Sequence, residues 1–181
     1  MTSPLTISFT AGETGPWRML SCAAVAGPAL PAAPRLAVTG GADAPDGVWT
    51  LTGTTSNTRY ATRAESNALA ARQQGLGRPE ATRAALIPIR KSAAWWALAQ
   101  DERRAIFEER SRHTAIGMDY LPQVARRLHH CRDLGGPFDF LTWFEYAPDD
   151  ESAFEHMVAR LRATEEWRFV EAEVDLRLER D

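Results

Sequence analysis

The C-terminal segment VEAEVDLRLER alternates without a break, with Val170, Ala172, Val174, Leu176 and Leu178 on one face and Glu171, Glu173, Asp175, Arg177 and Glu179 on the other. A period of two sustained over this length fits only a β-strand, packed on a core on one side and expected to be wet on the other. A strand needs neighbours, because its backbone donors and acceptors must be paired on both edges or left to water. The segments upstream supply them. ESAFEHMVARLRATEEW places Phe154, Val158 and Leu161 at helical spacing, with Asp149 or Asp150 as N-cap. Before it, VARRLHHC (124–131) and FDFLTWFEYA (138–147) flank the loop RDLGGP and read as adjacent antiparallel strands. Asp101 to about Tyr120 is predicted to be one helix, with Asp101 as cap or first-turn acid and Pro122 closing it off. ALIPIRKS (85–92) is a short apolar strand that Pro88 confines to an edge or a bulge. The order strand, helix, strand, strand, helix, strand is the ferredoxin-like split βαβ arrangement.

The first half has a different texture. GPALPAAPRLAVTGGADAPD (27–46) is dense in Pro, Gly and Ala without a sustained period and reads as loop. Around it lie strand candidates LTISF (5–9), WRMLSCAAV (17–25) and VWTLTGTTSNTRY (48–60), then a helical RAESNALAARQQ (63–74) ended by GLG. The boundary between halves falls near Gly75. The expectation is an α+β protein of two joined sheets: a shortened N-terminal half, 1–75, and a fuller C-terminal half, 76–181.

Composition removes several function classes. With 44% apolar and 25% charged residues the chain is globular, and its net charge of -3 offers no long-range attraction to nucleic acid or an anionic membrane. Cys22 and Cys131 form no C-x-x-C pair, so neither a zinc site nor a disulfide framework is expected, and reduced thiols suit a cytoplasmic chain. The start MTSPLTISFT lacks a basic region followed by a long apolar core, and no apolar run approaches the roughly 18 residues of a membrane span. An unprocessed cytoplasmic chain is expected. No Gly-rich phosphate loop, G-x-S-x-G or H-E-x-x-H occurs.

Function is then sought in polar residues that occupy apolar positions. His113 lies seven residues after Ile106 and three before Ile116, on the apolar stripe of the 101–120 helix. Either it is a core histidine satisfied by a neighbour, or it is a ligand: neutral imidazole binds haem iron well, and Gly117 one turn on would let a flat ring approach the backbone. Arg126 shares a strand face with Val124 and Leu128. Unable to shed its charge, it needs either an internal carboxylate or a small anionic substrate. Glu165 and Glu166 stand in the last turn of the second helix, where the dipole disfavours acids, so one of them is expected to have a specific partner, such as a metal-bound histidine. Trp95 and Trp96 read as core or interface aromatics, and His129, His130 and His156 show no metal-ligand spacing. Lys91 is the only lysine among 21 basic residues.

The run LGRPEATRAALIPIRKSAAWWALAQDERRAIFEERSRH, continuing through YLPQVARRLHHCRDLGGPFDFLTWFEYAPDD to LRATEEWRFVEAEVDLRL, closely resembles the chlorite dismutase family, in particular its short-chain dimeric branch. The similarity covers residues 73–179, and FTAGETGPW looks like the same branch. The resemblance implies two ferredoxin-like halves in a dimeric α+β barrel, a b-type haem as cofactor, and a homodimer. It implies His113 as proximal iron ligand, Glu166 as its hydrogen-bond partner, and Arg126 as the distal arginine. Gln73, Ile87, Lys91 and Trp96, and with a looser upstream match Tyr60, would line the haem pocket or meet the propionates. The implied reaction is chlorite to chloride and dioxygen. In the family's usual account ferric haem takes an oxygen atom from chlorite and leaves a transient hypochlorite that must not escape. The alternatives are a haem sensor or carrier that uses His113 for attachment alone, and the related dye-decolourising peroxidases and coprohaem decarboxylases.

Overall fold

The computed structural model describes residues 4–41, 43–55 and 60–181. Residues 1–3 of the N-terminal stretch, position 42 of the 27–46 loop and residues 56–59 of the 48–60 strand lie outside the described residues. Eight strands are described: β1 (Thr6–Gly12), β2 (Trp17–Ala26), β3 (Arg35–Gly40), β4 (Trp49–Thr55), β5 (Arg83–Lys91), β6 (Ala125–His130), β7 (Phe140–Tyr146) and β8 (Val170–Arg180). They close into one barrel in the order β1-β3-β2-β8-β5-β7-β6-β4, every neighbouring pair antiparallel. The helices are α1 (Arg63–Arg72), α2 (Ala93–Ala97), α3 (Gln100–Arg104), α4 (His113–Met118) and α5 (Glu151–Arg162). The protein is thus a mixed α+β fold whose antiparallel sheet closes on itself. Among the described residues no helix is long and apolar enough to cross a membrane.

Two apolar layers hold the sheet. Inside the barrel, Phe9, Leu36, Leu51, Leu86, Trp143 and Leu176 interdigitate. On the outer face of β8-β5-β7-β6 a second layer packs under the helices, with Ile87, Ile89 and Phe144 from the sheet and Phe154, Met157 and Val158 from α5. β5 feeds both layers, Ala84 and Leu86 inward and Ala85, Ile87 and Ile89 outward, which explains its unbroken apolar run.

That two-sided burial corrects the expectation for Pro88. β5 is an interior strand with β7 on one side and β8 on the other, and the β8 ladder skips Ile87 and Pro88, which leaves the imino acid no N–H to supply there. The 27–46 stretch likewise contains a strand: Leu36 is fully buried and Val38 packs beside it, an inward alternation too short to register between prolines and glycines. The expected 101–120 helix is broken. α3 passes into a single π-helical turn at Ala105–Arg110, Arg112 takes a left-handed conformation (φ 54°), and α4 starts afresh at His113. α5 ends at Arg162, so Glu166 begins a separate 3-10 turn, Glu166–Phe169, and is not in the last turn of a helix.

The polar face of β8 is not wet. Glu173 and Asp175 are buried, because α5 lies over them and delivers Arg162. Glu173 accepts from Arg162 Nε and Nη2 at 2.8 and 2.6 Å and from the Trp167 indole at 2.8 Å, while Asp175 accepts from Arg162 at 2.8 Å and from Arg177. Burial acts to raise the Asp175 carboxyl, and the two guanidinium groups pull it below its ordinary value. Arg162→Ala would leave two carboxylates buried with one cation fewer, so it should cost about 3 kcal/mol in urea unfolding. The exposed Arg110, which pairs Glu165 at the surface, should show a loss below about 1 kcal/mol on the same change.

Candidate haem-pocket site

A cavity of about 390 Å³ opens on the outer face of the β8-β5-β7-β6 sheet, beneath α4 and α5. The period of two brings its sheet-side wall together: Ile87, Ile89 and Lys91 from β5, Arg126 and Leu128 from β6, and Phe140 and Phe144 from β7. The helical side carries His113, Gly117, Met157 and Leu161.

His113 stands where it does because the helix breaks. The left-handed Arg112 ends the π-helical turn, and the new helix opens with its first amides capped by Glu108, which accepts from Thr114 N–H at 2.7 Å and Ala115 N–H at 3.3 Å. The imidazole lies against the Phe107 ring, centroids 4.4 Å apart and 20° from parallel. Its side chain remains 31% exposed, while Glu166, its partner, is 3% exposed. Nδ1 of His113 lies 2.6 Å from Glu166 Oε2. The other carboxylate oxygen, Oε1, accepts from Lys91 Nζ at 2.6 Å. The Ser111 hydroxyl, just before the break, accepts from the Glu166 backbone N–H at 2.9 Å and seats the carboxylate.

Burial works to raise the Glu166 carboxyl, but the charges of His113 and Lys91, with their hydrogen bonds, overcome it and hold the group at about 2. Lys91 is pushed below its ordinary value by burial, with Glu166 opposing that shift, and its ammonium sits 4.5 Å over the Trp95 ring and 5.5 Å over Trp167. An ionised carboxylate at Nδ1 keeps the proton there and leaves the Nε2 lone pair for a metal.

Arg126 has no such partner. Its Nη1 donates to the Gly117 carbonyl at 2.9 Å and approaches Met157 Sδ at 4.0 Å, and among the described residues no carboxylate pairs it. Burial alone lowers it to about 10, still cationic at neutral pH. Of the two readings of Arg126, the internal ion pair is not found among the described residues. Gly117 serves this guanidinium: a Cβ there would stand 2.5 Å from Arg126 Nη2 and 2.6 Å from Nη1. The backbone of Arg126 is tied separately, its carbonyl accepting from Gln73 Nε2 at 2.9 Å.

Among the described residues no three His, Cys, Asp or Glu side chains gather to hold a bare metal ion. What the cavity offers is one oriented imidazole, apolar walls and an unpaired cation, a donor set that fits a haem, whose iron takes its remaining ligands from the porphyrin.

A model of the chlorite dismutase family matches residues 30–178. The chain belongs to that family. Its structure superimposes on dimeric chlorite dismutase from Nitrobacter winogradskyi with a TM-score of 0.91 and 58% identity, over 96% of this chain and 99% of that one. The chlorite dismutase of Candidatus Nitrospira defluvii, solved with imidazole, matches at 28% identity and a TM-score of 0.60, over 80% of this chain and 56% of the other. A curated chlorite dismutase from Ideonella dechloratans is 32% identical over 84 residues, which are 46% of this chain and 27% of that relative.

Of the residues expected for the family's site, Tyr60, Gln73, Ile87, Lys91, His113, Arg126 and Glu166 all border the cavity. Trp96 does not. Its indole donates to Asp139 at 3.2 Å and borders a separate, smaller cavity, while Trp95 faces the main one. Sequence reasoning missed Phe107, Trp167 and Glu173 as cavity residues. Glu173 was visible as a carboxylate on a regular strand, but its cover by α5 was not.

Glu166 also sets an acid limit. A carboxyl held at about 2 in the fold, against an ordinary 4.5, stabilises the protein above that ordinary value, and the stabilisation fades as pH falls toward 2. Urea midpoints measured at a series of pH values should therefore drop between about pH 5 and pH 2. In Glu166→Gln the drop should be shallower, from a lower starting stability; parallel slopes would mean that Glu166 is not the titrating group.

Proposed function

We propose that this chain is a haem b enzyme that converts chlorite to chloride and dioxygen, with His113 as the proximal iron ligand and Arg126 as the distal cation that holds the substrate. Family membership and the Nitrobacter winogradskyi relative support a chlorite-degrading enzyme. The observation that carries the residue assignment is the unpaired Arg126 guanidinium bordering the same cavity as a histidine already oriented by a buried carboxylate.

His113 would bind through Nε2, with Glu166 holding the Nδ1 proton and Lys91 keeping Glu166 ionised. A carboxylate that also accepts from the Lys91 ammonium does not take the proton itself, so the neutral imidazole keeps one tautomer. Gln73, Ile87 and Tyr60 would form the wall, with Trp95 in the place expected for Trp96. Bound haem would supply a ferric iron that exchanges an oxygen atom with chlorite. The protein supplies the electrostatics. Lys91 is neutralised by Glu166, whereas the half-buried Arg126 has no carboxylate counter-ion among the described residues. In an apolar cavity its attraction for a small oxyanion is far stronger than in water, and its planar fork can hold both chlorite and the hypochlorite left after the oxygen is removed.

Each half of the barrel has one strand order: β4-β1-β3-β2 in the first and β8-β5-β7-β6 in the second, the fourth strand beside the first and the third beside the second. This supports reading both as ferredoxin-like, residues 1–75 as a half whose crossover helices are missing and 76–181 as the half that holds haem. The assembly is a homodimer, as the relative at 58% identity is described as dimeric.

An oxygen electrode tests the reading. Haem-loaded protein should release dioxygen on addition of chlorite, and a flat trace would leave only attachment of haem. Arg126→Ala should keep its Soret band but lose about 10²-fold in kcat/KM and bleach faster as hypochlorite escapes. Gly117→Ala, which displaces the guanidinium, should act in the same direction with a smaller loss. His113→Ala should be purified without stable haem, and an unchanged Soret band and iron content would sink its role.

A further inference from the structure

The longest uncharged run in the sequence extends from Met19 to Pro34, between Arg18 and Arg35, in a chain of which 25% is charged. Such a run would ordinarily be core. Here it lies outside: from Leu20 to Pro34 every residue is exposed except Cys22, Ala26, Leu30 and Ala33, which are half-buried. It comprises most of β2 and the proline-rich return to β3. Along one edge β2 is paired with β8 as far as Ala26, but along the other it meets β3 only at Trp17 and Arg18, with the Met19 N–H reaching the Pro34 carbonyl. Beyond that point the edge has no backbone partner among the described residues.

The β8 ladder is irregular at two places, between Met19 and Ser21 and between Ala24 and Ala26. The residues left out, Leu20 and Val25, are 41% and 47% exposed. Bulges re-aim side chains and make an edge poor at accepting another strand, so this surface is suited to side-chain packing and not to extension of the sheet. Leu5, Val48 and Leu134 are also exposed, but Leu134 stands beside Asp133 and Val48 close to Asp46, as isolated apolar residues do on any surface.

We propose that the surface from Leu20 to Ala33 is where a second copy of this chain docks, about a two-fold axis. The proposal rests on the homodimer reading above and assigns its location. Across a two-fold axis a patch meets its own image, so any charge near the axis meets a like charge. A surface with no charged residue meets itself without that penalty, even though each chain carries a net charge of -3. A standard interface takes about 20–30 residues a side, and this run supplies a large part of them.

Sedimentation of the haem-loaded protein tests it. Wild type should sediment as a dimer, and Leu20→Arg/Val25→Arg as a 20.1 kDa monomer. The self-association Kd should rise at least about 10²-fold. The milder Leu20→Ser/Val25→Ser should weaken the dimer in the same direction and serves if the arginine pair disturbs the Soret band or circular dichroism. Leu134→Arg should leave the dimer intact. A dimer as tight as wild type in both double variants, or a monomer from Leu134→Arg, overturns this location and leaves the homodimer standing. A monomeric wild type overturns the homodimer and this proposal with it.

Discussion

Glu166 is ionised, 3% exposed, and held between an imidazole and the chain's one lysine. A carboxylate in that position is tolerable only if every partner is in place, since a buried charge left unpaired costs several kcal/mol. Much of the local architecture satisfies this requirement. β5 ends at Lys91 and directs it toward the cavity, and its backbone is fixed by Asp139, which accepts the Lys91 N–H at 2.7 Å. The helix after α3 distorts and stops so that Ser111 can seat the Glu166 backbone and His113 can begin a new turn facing the cavity. The left-handed Arg112 costs about 1–3 kcal/mol, and it persists because the contacts on both sides of it determine the path of the chain.

Lys91, which is buried, and Arg126, which is half-buried, are treated in opposite ways, and the difference follows from their chemistry. Lys91 carries a compact ammonium that donates to one carboxylate oxygen and lies over the Trp95 ring at 4.5 Å. Arg126 keeps its charge because guanidinium does not deprotonate near neutral pH, and beside it stand a carbonyl and a thioether with no carboxylate among the described residues.

The sequence was most legible where local periodicity and burial agree. The alternation of β8 from Ala172 to Leu178, the β6–β7 pair, and the Phe154, Val158 and Leu161 stripe of α5 stand as read, while Val170 packs against the outer layer. It was least legible where a tertiary neighbour changes the meaning of a pattern. Nothing in VEAEVDLRLER says that Arg162 will cover Glu173 and Asp175, so the polar face read as wet. Nothing in DERRAIFEERSRHTAIGMDY breaks a helix by propensity; the break at Arg112 comes from contacts made by Glu108, Ser111 and His113. His113 was found for a reason that does not survive, its place on a continuous helical stripe. Arg126 was found for a reason that does: its strand face is the cavity face.

The two halves share a strand order but not a cavity, and the difference lies in what crosses over between strands. In the second half the connections from β5 to β6 and from β7 to β8 contain helices, and helices stand about 10 Å off a sheet, so side chains that do not meet across that gap leave room for a ligand. In the first half the connections from β1 to β2 and from β3 to β4 contain no helix. Gly47 lies so close to β1 that a Cβ there would stand 2.5 Å from the Ala11 carbonyl oxygen and from Thr10 Cγ2. Beneath that close-lying loop the outward residues Ser8 and Thr10 pair with Thr52 and Thr50 at 2.9 and 3.0 Å. A sheet covered by a loop at contact distance has no layer in which a planar cofactor could lie. The cavity therefore lies under the helices of the second half, and the first half contributes Leu5, Thr55, Tyr60, Leu69 and Gln73 to its lining.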